Sequence, residues 1–318
     1  MMRFAAHTWA PDSVSNLLQY VLDGLSIGSI YSLVALGLVV VYRGTGQINF
    51  AQGEMALFST LITWWLNDMG MPLLLAIMVS GALAFVGGAA IEVGLMRPAT
   101  KRSVFAPVVV AIGLFQALNS LSQLLFPKAG QGLPFPSLFP NDPDDFITIF
   151  GATWRIERIC VLATVLVITA LLFALFNKTR IGLAMRTVAN NGASAKLVGV
   201  PTGKILMFSW GLAAVIGAIG GALKAGIDTN VSIGSMFSVF LLSSAAATLG
   251  GLDSLGGAVI GGLSLGVIES LVGNYPDDWP GSAWIGIETK TAVAFLIILV
   301  VLLVRPAGLF GSVKVERV

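Results

Sequence analysis

Apolar residues run along most of this chain in long blocks, which short polar or glycine-rich segments separate. A helix needs about 20 mostly apolar residues to cross the hydrocarbon core of a bilayer. Nine blocks approach that length and predict about eight to ten spans: residues 17–42, 49–66, 72–95, 104–126, 158–177, 205–226, 232–250, 254–274 and 285–304. The pattern therefore indicates an all-α fold, a polytopic transmembrane helical bundle.

Three blocks fit a full-length span poorly. The blocks at 49–66, 232–250 and 254–274 are punctuated by glycine or follow their neighbours after only a few residues. Such segments predict discontinuous, half-length or re-entrant helices. Residues 26–33 (Ser-Ile-Gly-Ser-Ile-Tyr-Ser-Leu) and 232–239 (Ser-Ile-Gly-Ser-Met-Phe-Ser-Val) also echo each other. This echo hints at two related halves, although eight small and apolar positions can also match by chance.

Composition excludes several classes of protein. The 318 residues are 56% hydrophobic and only 11% charged, against roughly 25% charged residues in an average soluble domain. A net charge of +2 without a dense basic run argues against a nucleic-acid surface. One cysteine, Cys160, and one histidine, His7, give neither an internal disulfide nor a zinc site. We therefore expect no metal site. An enzyme is also not expected, because the predicted spans contain no pair of acids at catalytic spacing.

The basic residues predict the orientation. The loop at 96–103 is basic, and residues 177–204 carry five Lys and Arg residues without an acid. Short loops rich in Lys and Arg stay in the cytoplasm. The acidic stretch around Asp142, Asp144 and Asp145 should then face outward. The whole chain, 1–318, is read as a single transmembrane domain with a cytoplasmic loop at about 178–204 and an external loop at about 127–157.

Polar residues cluster between the first two blocks, where Asn49, Gln52, Gly53 and Glu54 follow a glycine-rich stretch. Irregular backbone at membrane depth is tolerated only where protein buries it or it lines a cavity. This pattern favours part of a translocation path, and the alternative is a tight cytoplasmic turn with capping residues. The glycine-rich counterpart at 250–257 is better explained by close helix packing.

Four charged residues fall within apolar runs, and such charges are functional candidates by default. Glu92 lies five residues before Arg97 near a cytoplasmic end, which favours a structural role, either snorkelling to the interface or pairing, over transport. Lys224 lies near an outer end. Glu54 and Glu269 remain candidates for the path. A hydrogen bond to another helix would explain Glu269 equally well.

The basic segment at 178–204 has alanines and aliphatic residues at helical spacing among polar ones, and Pro201 interrupts that pattern. It predicts an amphipathic cytoplasmic element that either lies on the membrane surface or docks a soluble subunit. A Walker A loop is not formed at 199–205, because the glycine spacing and the last residue are wrong. Any ATPase that drives transport would therefore be another polypeptide.

Four segments resemble the integral membrane permeases of branched-chain amino acid ABC importers (LivH-like), and the resemblance covers nearly the whole chain. They are the first span at 24–37, the stretch 47–54, the alanine-rich loop at 184–200 and the ending Arg-Pro-Ala-Gly-Leu-Phe-Gly at 305–311. The stretch 47–54 resembles the family signature Asn-Phe-Ala-His-Gly-Glu, with Gln52 at the usual His position. A neutral amide there departs from the pattern and argues against a mechanism that needs a proton at this position.

The resemblance implies a bacterial inner-membrane permease that forms half of an alternating-access pathway for branched-chain or other amino acids. It implies a second homologous permease subunit, two cytoplasmic ATP-binding subunits and an external solute-binding protein. ATP and Mg²⁺ would then bind to the partners, with no cofactor in this chain. The ATPase contact would fall on these residues: Ala189, Asn190, Ala195, Leu197, Gly199 and Val200. Two alternatives stay open: a permease of this family for urea or short-chain amides, and an autonomous secondary transporter or channel that uses Glu54 or Glu269.

Overall fold

The computed structural model describes residues 12–103, 105–190, 192–274, 290–305 and 307–311. His7 and the first five residues of the ninth predicted span lie outside these ranges. Twelve α-helices carry most of the regular structure in them: α1 (Asp12–Thr45), α2 (Gln52–Asp68), α3 (Leu73–Ile91), α4 (Arg97–Thr100), α5 (Ala106–Leu125), α6 (Ile156–Lys178), α7 (Arg180–Asn190), α8 (Gly192–Leu197), α9 (Thr202–Ile227), α10 (Ser235–Gly250), α11 (Leu255–Asn274) and α12 (Lys290–Val304).

Among the described residues, six segments are long and apolar enough to cross a membrane: Val14–Thr45, Leu73–Thr100, Ala106–Leu125, Ile156–Lys178, Thr202–Ile227 and Leu255–Asn274. The chain is therefore a multi-pass membrane protein. The predicted second and seventh spans are shorter helices, α2 with 17 residues and α10 with 16. The predicted eighth span differs from the half-length expectation, since α11 runs without a break for 20 residues.

Glycines allow α1 and α11 to pack antiparallel with their backbones nearly touching. A Cβ atom added at Gly28 would lie 2.7 Å from the carbonyl oxygen of Gly262, and one added at Gly24 would lie 2.8 Å from that of Gly266. Ser32 continues this seam by donating from its hydroxyl to the carbonyl of Val259 at 2.9 Å. Small residues are what permit such close approach between helices inside a membrane.

The helices pair in a pattern that repeats when α1, α2 and α3 are exchanged for α9, α10 and α11. α1 packs against α11 as α9 packs against α3, and α2 lies on α9 as α10 lies on α1. The packing of these six helices is therefore pseudo-symmetric, but the echo between 26–33 and 232–239 does not mark equivalent positions in it. The first copy lies inside α1, whereas the second crosses a turn at Gly234 and enters α10.

The ends of the bundle separate the acidic and basic loops. At one end β2 (Phe146–Ile149) and β3 (Ala152–Arg155) form a hairpin, where the Thr153 N–H donates to Gln19 Oε1 at 2.8 Å. Another strand pair, β1 (Leu133–Pro134) with β4 (Asn230–Val231), follows α5 and α9. At the other end Arg97 donates to the carbonyl of Gly203 at 2.8 Å, which joins the two basic loops. We refer to these as the hairpin end and the basic end; the charge rule predicts that the basic end is cytoplasmic.

Candidate functional site

The chain between α1 and α2 turns back into the bundle. Gly46 has a φ of +73°, which suits a glycine at this turn. Gln52, the first residue of α2, donates from Nε2 to the carbonyl of Ala213 at 2.9 Å. Ala213 lies about 17 Å along α9 from its first residue, at 1.5 Å per residue. The irregular segment at 46–51 therefore reaches well inside the bundle.

Gln52 fills a space that two glycines leave between α1 and α9. A Cβ atom at Gly37 would lie 2.8 Å from Gln52 Nε2, and one at Gly217 would lie 2.9 Å from it. Asn49 donates from Nδ2 to Gln52 Oε1 at 3.1 Å and accepts from the Ala51 N–H at 3.0 Å. Both amide side chains are buried. In this conformation they hold the start of α2 in place.

Gly53 is the point where α2 meets α10. A Cβ atom there would lie 2.8 Å from Phe240 Cβ and 3.1 Å from the carbonyl oxygen of Met236. Any larger side chain would push the two short helices apart. The structure therefore explains Gly53 by helix packing, and its place on a substrate path stays a prediction.

Glu54 lies in the first turn of α2, where the helix dipole favours an acid. Its side chain is 1% exposed. Oε1 accepts a hydrogen bond from Asn119 Nδ2 at 3.2 Å. Oε2 is buried without a hydrogen-bond partner among the described residues. A buried carboxylate with one unsatisfied oxygen is costly, which makes Glu54 the strongest functional candidate in this part of the chain.

Asn119 belongs to a row of polar side chains on α5. Gln123 Nε2 donates to Asn119 Oδ1 at 2.7 Å, and Gln116 lies beside Ser120 on the same helix. Gln116, Ser120 and Gln123 are exposed, and only 17% of the apolar window of α5 is buried. We call Gln116, Asn119, Ser120 and Gln123 the amide row. Exposed amides are unfavourable against lipid, so this face of α5 suits water or another protein.

An apolar cleft adjoins the amide row one helical turn along α5. Its volume is about 280 Å³, and its lining residues are Ile48, Phe50, Ile112, Phe115, Phe237, Phe240, Leu241 and Ser244. The rings of Phe115 and Phe237 lie 5.7 Å apart, and those of Phe50 and Phe240 lie 6.5 Å apart. Residues of the irregular segment at 46–51, of α5 and of α10 thus form one aromatic surface at the start of α2, which we call the aromatic cleft.

Glu269 does not join Glu54. Its side chain is buried on α11, and Oε2 accepts from the Tyr31 hydroxyl of α1 at 2.7 Å. It lines two cavities towards the hairpin end, and neither shares a lining residue with the aromatic cleft. The two acids that the sequence singled out therefore belong to separate sites.

The basic segment forms two short helices, α7 and α8. Met185, Val188 and Ala195 are buried against the bundle. Gly199, with a φ of +81°, ends α8 in a turn where the Val200 N–H donates to the Ala195 carbonyl at 2.9 Å. Beside this turn Leu197 is 89% exposed and Val198 is 74% exposed. We call these two residues the apolar tip.

The predicted ATPase-contact residues therefore have different environments. Leu197 is almost fully exposed to solvent, Ala189 and Val200 are half-buried, and Ala195 is buried. The side chain of Asn190 lies outside what the structure describes. A bulky charge at Ala195 would first unpack α8, so Leu197 is the better residue to change in a docking test.

Glu92 and Arg97 form the pair that the sequence suggested. The Arg97 guanidinium donates to both carboxylate oxygens of Glu92, at 3.1 and 2.5 Å, and also to the Gly203 carbonyl. A π-helical turn at Glu92–Met96 sets these side chains, five residues apart, on one face. This clamp joins α3 to the start of α9, directly after the segment that carries the apolar tip.

The sequence interpretation missed the amide row. Its four polar side chains recur every three or four residues inside the predicted span at 104–126. That spacing puts them on one face of a helix. The signal was present, but only the contact with Glu54 shows which face of α5 matters.

Comparison with known proteins identifies the family. The family described as the permease component of the branched-chain amino acid transport system matches residues 20–302. The branched-chain amino acid permease LivH of Escherichia coli is 29% identical over 95% of this chain and 97% of its own length. BraD of Pseudomonas aeruginosa is 27% identical over 96% and 99%, and the probable LivH permease of Methanocaldococcus jannaschii is 28% identical over 92% and 92%. This chain belongs to the branched-chain amino acid transport permease family.

Proposed function

We propose that this chain is the permease subunit of an ATP-binding cassette importer in a bacterial plasma membrane, and that it forms one wall of the pathway for branched-chain or other amino acids. As a member of its family it is a transport subunit and not an enzyme. The curated relatives are named for branched-chain amino acid transport. That substrate class is the one we propose for this chain.

The amide row beside Glu54 is the observation that carries the pathway proposal. It places four polar side chains on the outer face of an apolar helix, with a buried carboxylate behind them. Such a face is stable when it borders water or a second protein instead of lipid. A second homologous permease against α5 would enclose a path with the amide row on one side and the aromatic cleft beside it. Polar and apolar surfaces together suit an amino acid with an aliphatic side chain.

The apolar tip supports the coupling half of the proposal. Two exposed aliphatic residues next to a basic segment are suited to a groove on a soluble protein. We propose that two cytoplasmic ATP-binding subunits dock on this element and its counterpart, and that they carry the ATP and Mg²⁺. Movement of the tip would reach α9 and α3 through Arg97 and Gly203. An external solute-binding protein would deliver substrate at the hairpin end.

Uptake by the reconstituted complex tests the pathway. Asn119→Leu and Gln123→Leu remove amides of the row, and each is expected to lower ATP-driven leucine uptake at least about tenfold while the complex stays assembled. Thr169→Val is the matched control, because the Thr169 hydroxyl donates to the Val165 carbonyl of its own helix. Unchanged uptake in both Asn119→Leu and Gln123→Leu would show that this face of α5 does not line the pathway. Leucine uptake without any ATPase would favour an autonomous transporter.

A further inference from the structure

A polar crevice at the hairpin end lies apart from the aromatic cleft. It consists of two adjoining cavities of about 210 and 270 Å³, which share Ile27, Arg158 and Glu269 in their linings. Residues of α1, α6, α9, α10 and α11 contribute to it. Each cavity is smaller than the roughly 300–1,000 Å³ of pockets for drug-sized ligands. Its size therefore suits a ligand of about one amino acid.

The described residues that line the crevice carry charges of both signs. Three are acids, Asp23, Asp228 and Glu269, and two are bases, Arg158 and Lys224. Arg158 forms an ion pair with Asp23, and Lys224 forms one with Asp228. The side chains of both pairs are between 24% and 40% exposed. Ion pairs that exposed contribute little to stability, so they can exchange partners with a charged ligand at small cost.

Two groups in the crevice point to a ligand rather than to a purely structural network. The Arg158 side chain is 31% exposed in the crevice, and its Nε is buried without a hydrogen-bond partner among the described residues, so the protein leaves part of the donor capacity of this guanidinium unused. Glu269, 4% exposed, presents its carboxylate at the base of the crevice together with the Tyr31 hydroxyl. The crevice thus offers a donor for an anion and an acceptor for a cation within the same small volume.

We propose that this crevice binds a small zwitterion, a free α-amino acid, before it enters the pathway. The proposal rests on the transport function proposed above and adds an outer site to it. Arg158 and Lys224 bind the carboxylate, while Glu269 and Asp23 bind the ammonium group. The aliphatic side chain lies against Ile27, Ile30, Ile227 and Val239. Urea and neutral amides form no ion pair with either set of groups, so the crevice selects against them.

The first test measures binding directly. Radiolabelled L-leucine is titrated onto the importer complex in nanodiscs, without its solute-binding protein, and competitors are then added. We expect leucinamide, which lacks the carboxylate, and 4-methylpentanoate, which lacks the ammonium group, to compete at least about tenfold more weakly than leucine. Urea should not compete. Equal competition by leucine and either half-charged analogue would overturn the zwitterion site.

Charge-removing variants locate the binding. Arg158→Met and Glu269→Gln should each weaken leucine binding about tenfold to a hundredfold, since each removes a charge-assisted hydrogen bond. Lys178→Met and Asp68→Asn are the matched controls, because both residues are exposed and line neither cavity. Wild-type affinity in both crevice variants would place the leucine elsewhere.

Protection of a new cysteine keeps the test informative if a charge variant misfolds. Replacing the single cysteine by Cys160→Ser gives a background for Ser238→Cys in the crevice and Asp144→Cys on the external loop. Saturating leucine should slow the reaction of Ser238→Cys with a membrane-impermeant thiol reagent at least about fivefold, by excluding the reagent sterically. It should leave Asp144→Cys unaffected. Normal ATP-driven uptake with an unprotected Ser238→Cys would refute the crevice alone. The proposed function would be refuted if the wild-type chain supported no ATP-driven uptake with any combination of ATPase, second permease and solute-binding protein.

Discussion

Replacing Glu54 by glutamine should move stability and transport in opposite directions. The carboxylate accepts one hydrogen bond from Asn119 at 3.2 Å, while its second oxygen is buried without a partner among the described residues. Glutamine keeps an oxygen that can accept from Asn119 and removes the buried charge. The folded state should therefore become more stable. If the proposed pathway is correct, transport should fall, because the amide row then lacks the carboxylate behind it.

The expected gain follows from the unsatisfied oxygen. A buried polar group without a partner costs about 1–3 kcal/mol, and more when it is charged. The glutamine Nε2 would inherit an unsatisfied position, so part of that cost remains. We expect Glu54→Gln to stabilise the protein by about 1–2 kcal/mol. At roughly 2–4 °C per kcal/mol for a large domain, the unfolding temperature should rise by a few degrees.

Thermal unfolding in nanodiscs, followed by tryptophan fluorescence, measures this change, and ATP-driven leucine uptake measures transport. Glu92→Gln is the matched control, since Glu92 is also buried but binds Arg97 through both oxygens. It should destabilise the protein by about 1–2 kcal/mol, because it removes an ion pair and weakens the clamp at Gly203. If Glu54→Gln lowered the unfolding temperature as Glu92→Gln does, the argument from the unsatisfied oxygen would be wrong.

Two further changes test the packing seam and the docking element. Gly262→Ala should destabilise the protein by about 1–3 kcal/mol in denaturant unfolding, since the new methyl would lie 2.5 Å from the Ser32 backbone nitrogen. Gly113→Ala, with nothing within 4 Å of the added carbon, is its control, and equal losses would discount the seam. Leu197→Ser should lower the leucine transported per ATP hydrolysed at least about threefold, by weakening an apolar contact. An unchanged ratio would place the ATPase contact elsewhere.

Long apolar blocks were enough to predict a polytopic helical membrane protein, because spanning a bilayer demands a length and composition that local sequence alone displays. The close spacing of Glu92 and Arg97 predicted a structural role, with pairing and snorkelling both open, and the structure shows the pair. Glycines and amides in one short stretch indicated irregular backbone before α2, but they left open whether it turns into the bundle or forms a tight cytoplasmic turn. Motif resemblance pointed to the family that comparison then identified.

Only the tertiary structure decided which distant residues meet. Glu54 and Asn119 are 65 positions apart, and Tyr31 and Glu269 are 238 apart. Hydropathy does not encode such pairings, since any apolar helix face can pack against many others, and in lipid the choice depends on small residues and hydrogen bonds. Here glycines permit the close packing of α1 against α11 and leave the space that Gln52 fills. The resulting fold places Glu54 and Glu269 in separate sites, although the sequence had treated both as candidates for one path.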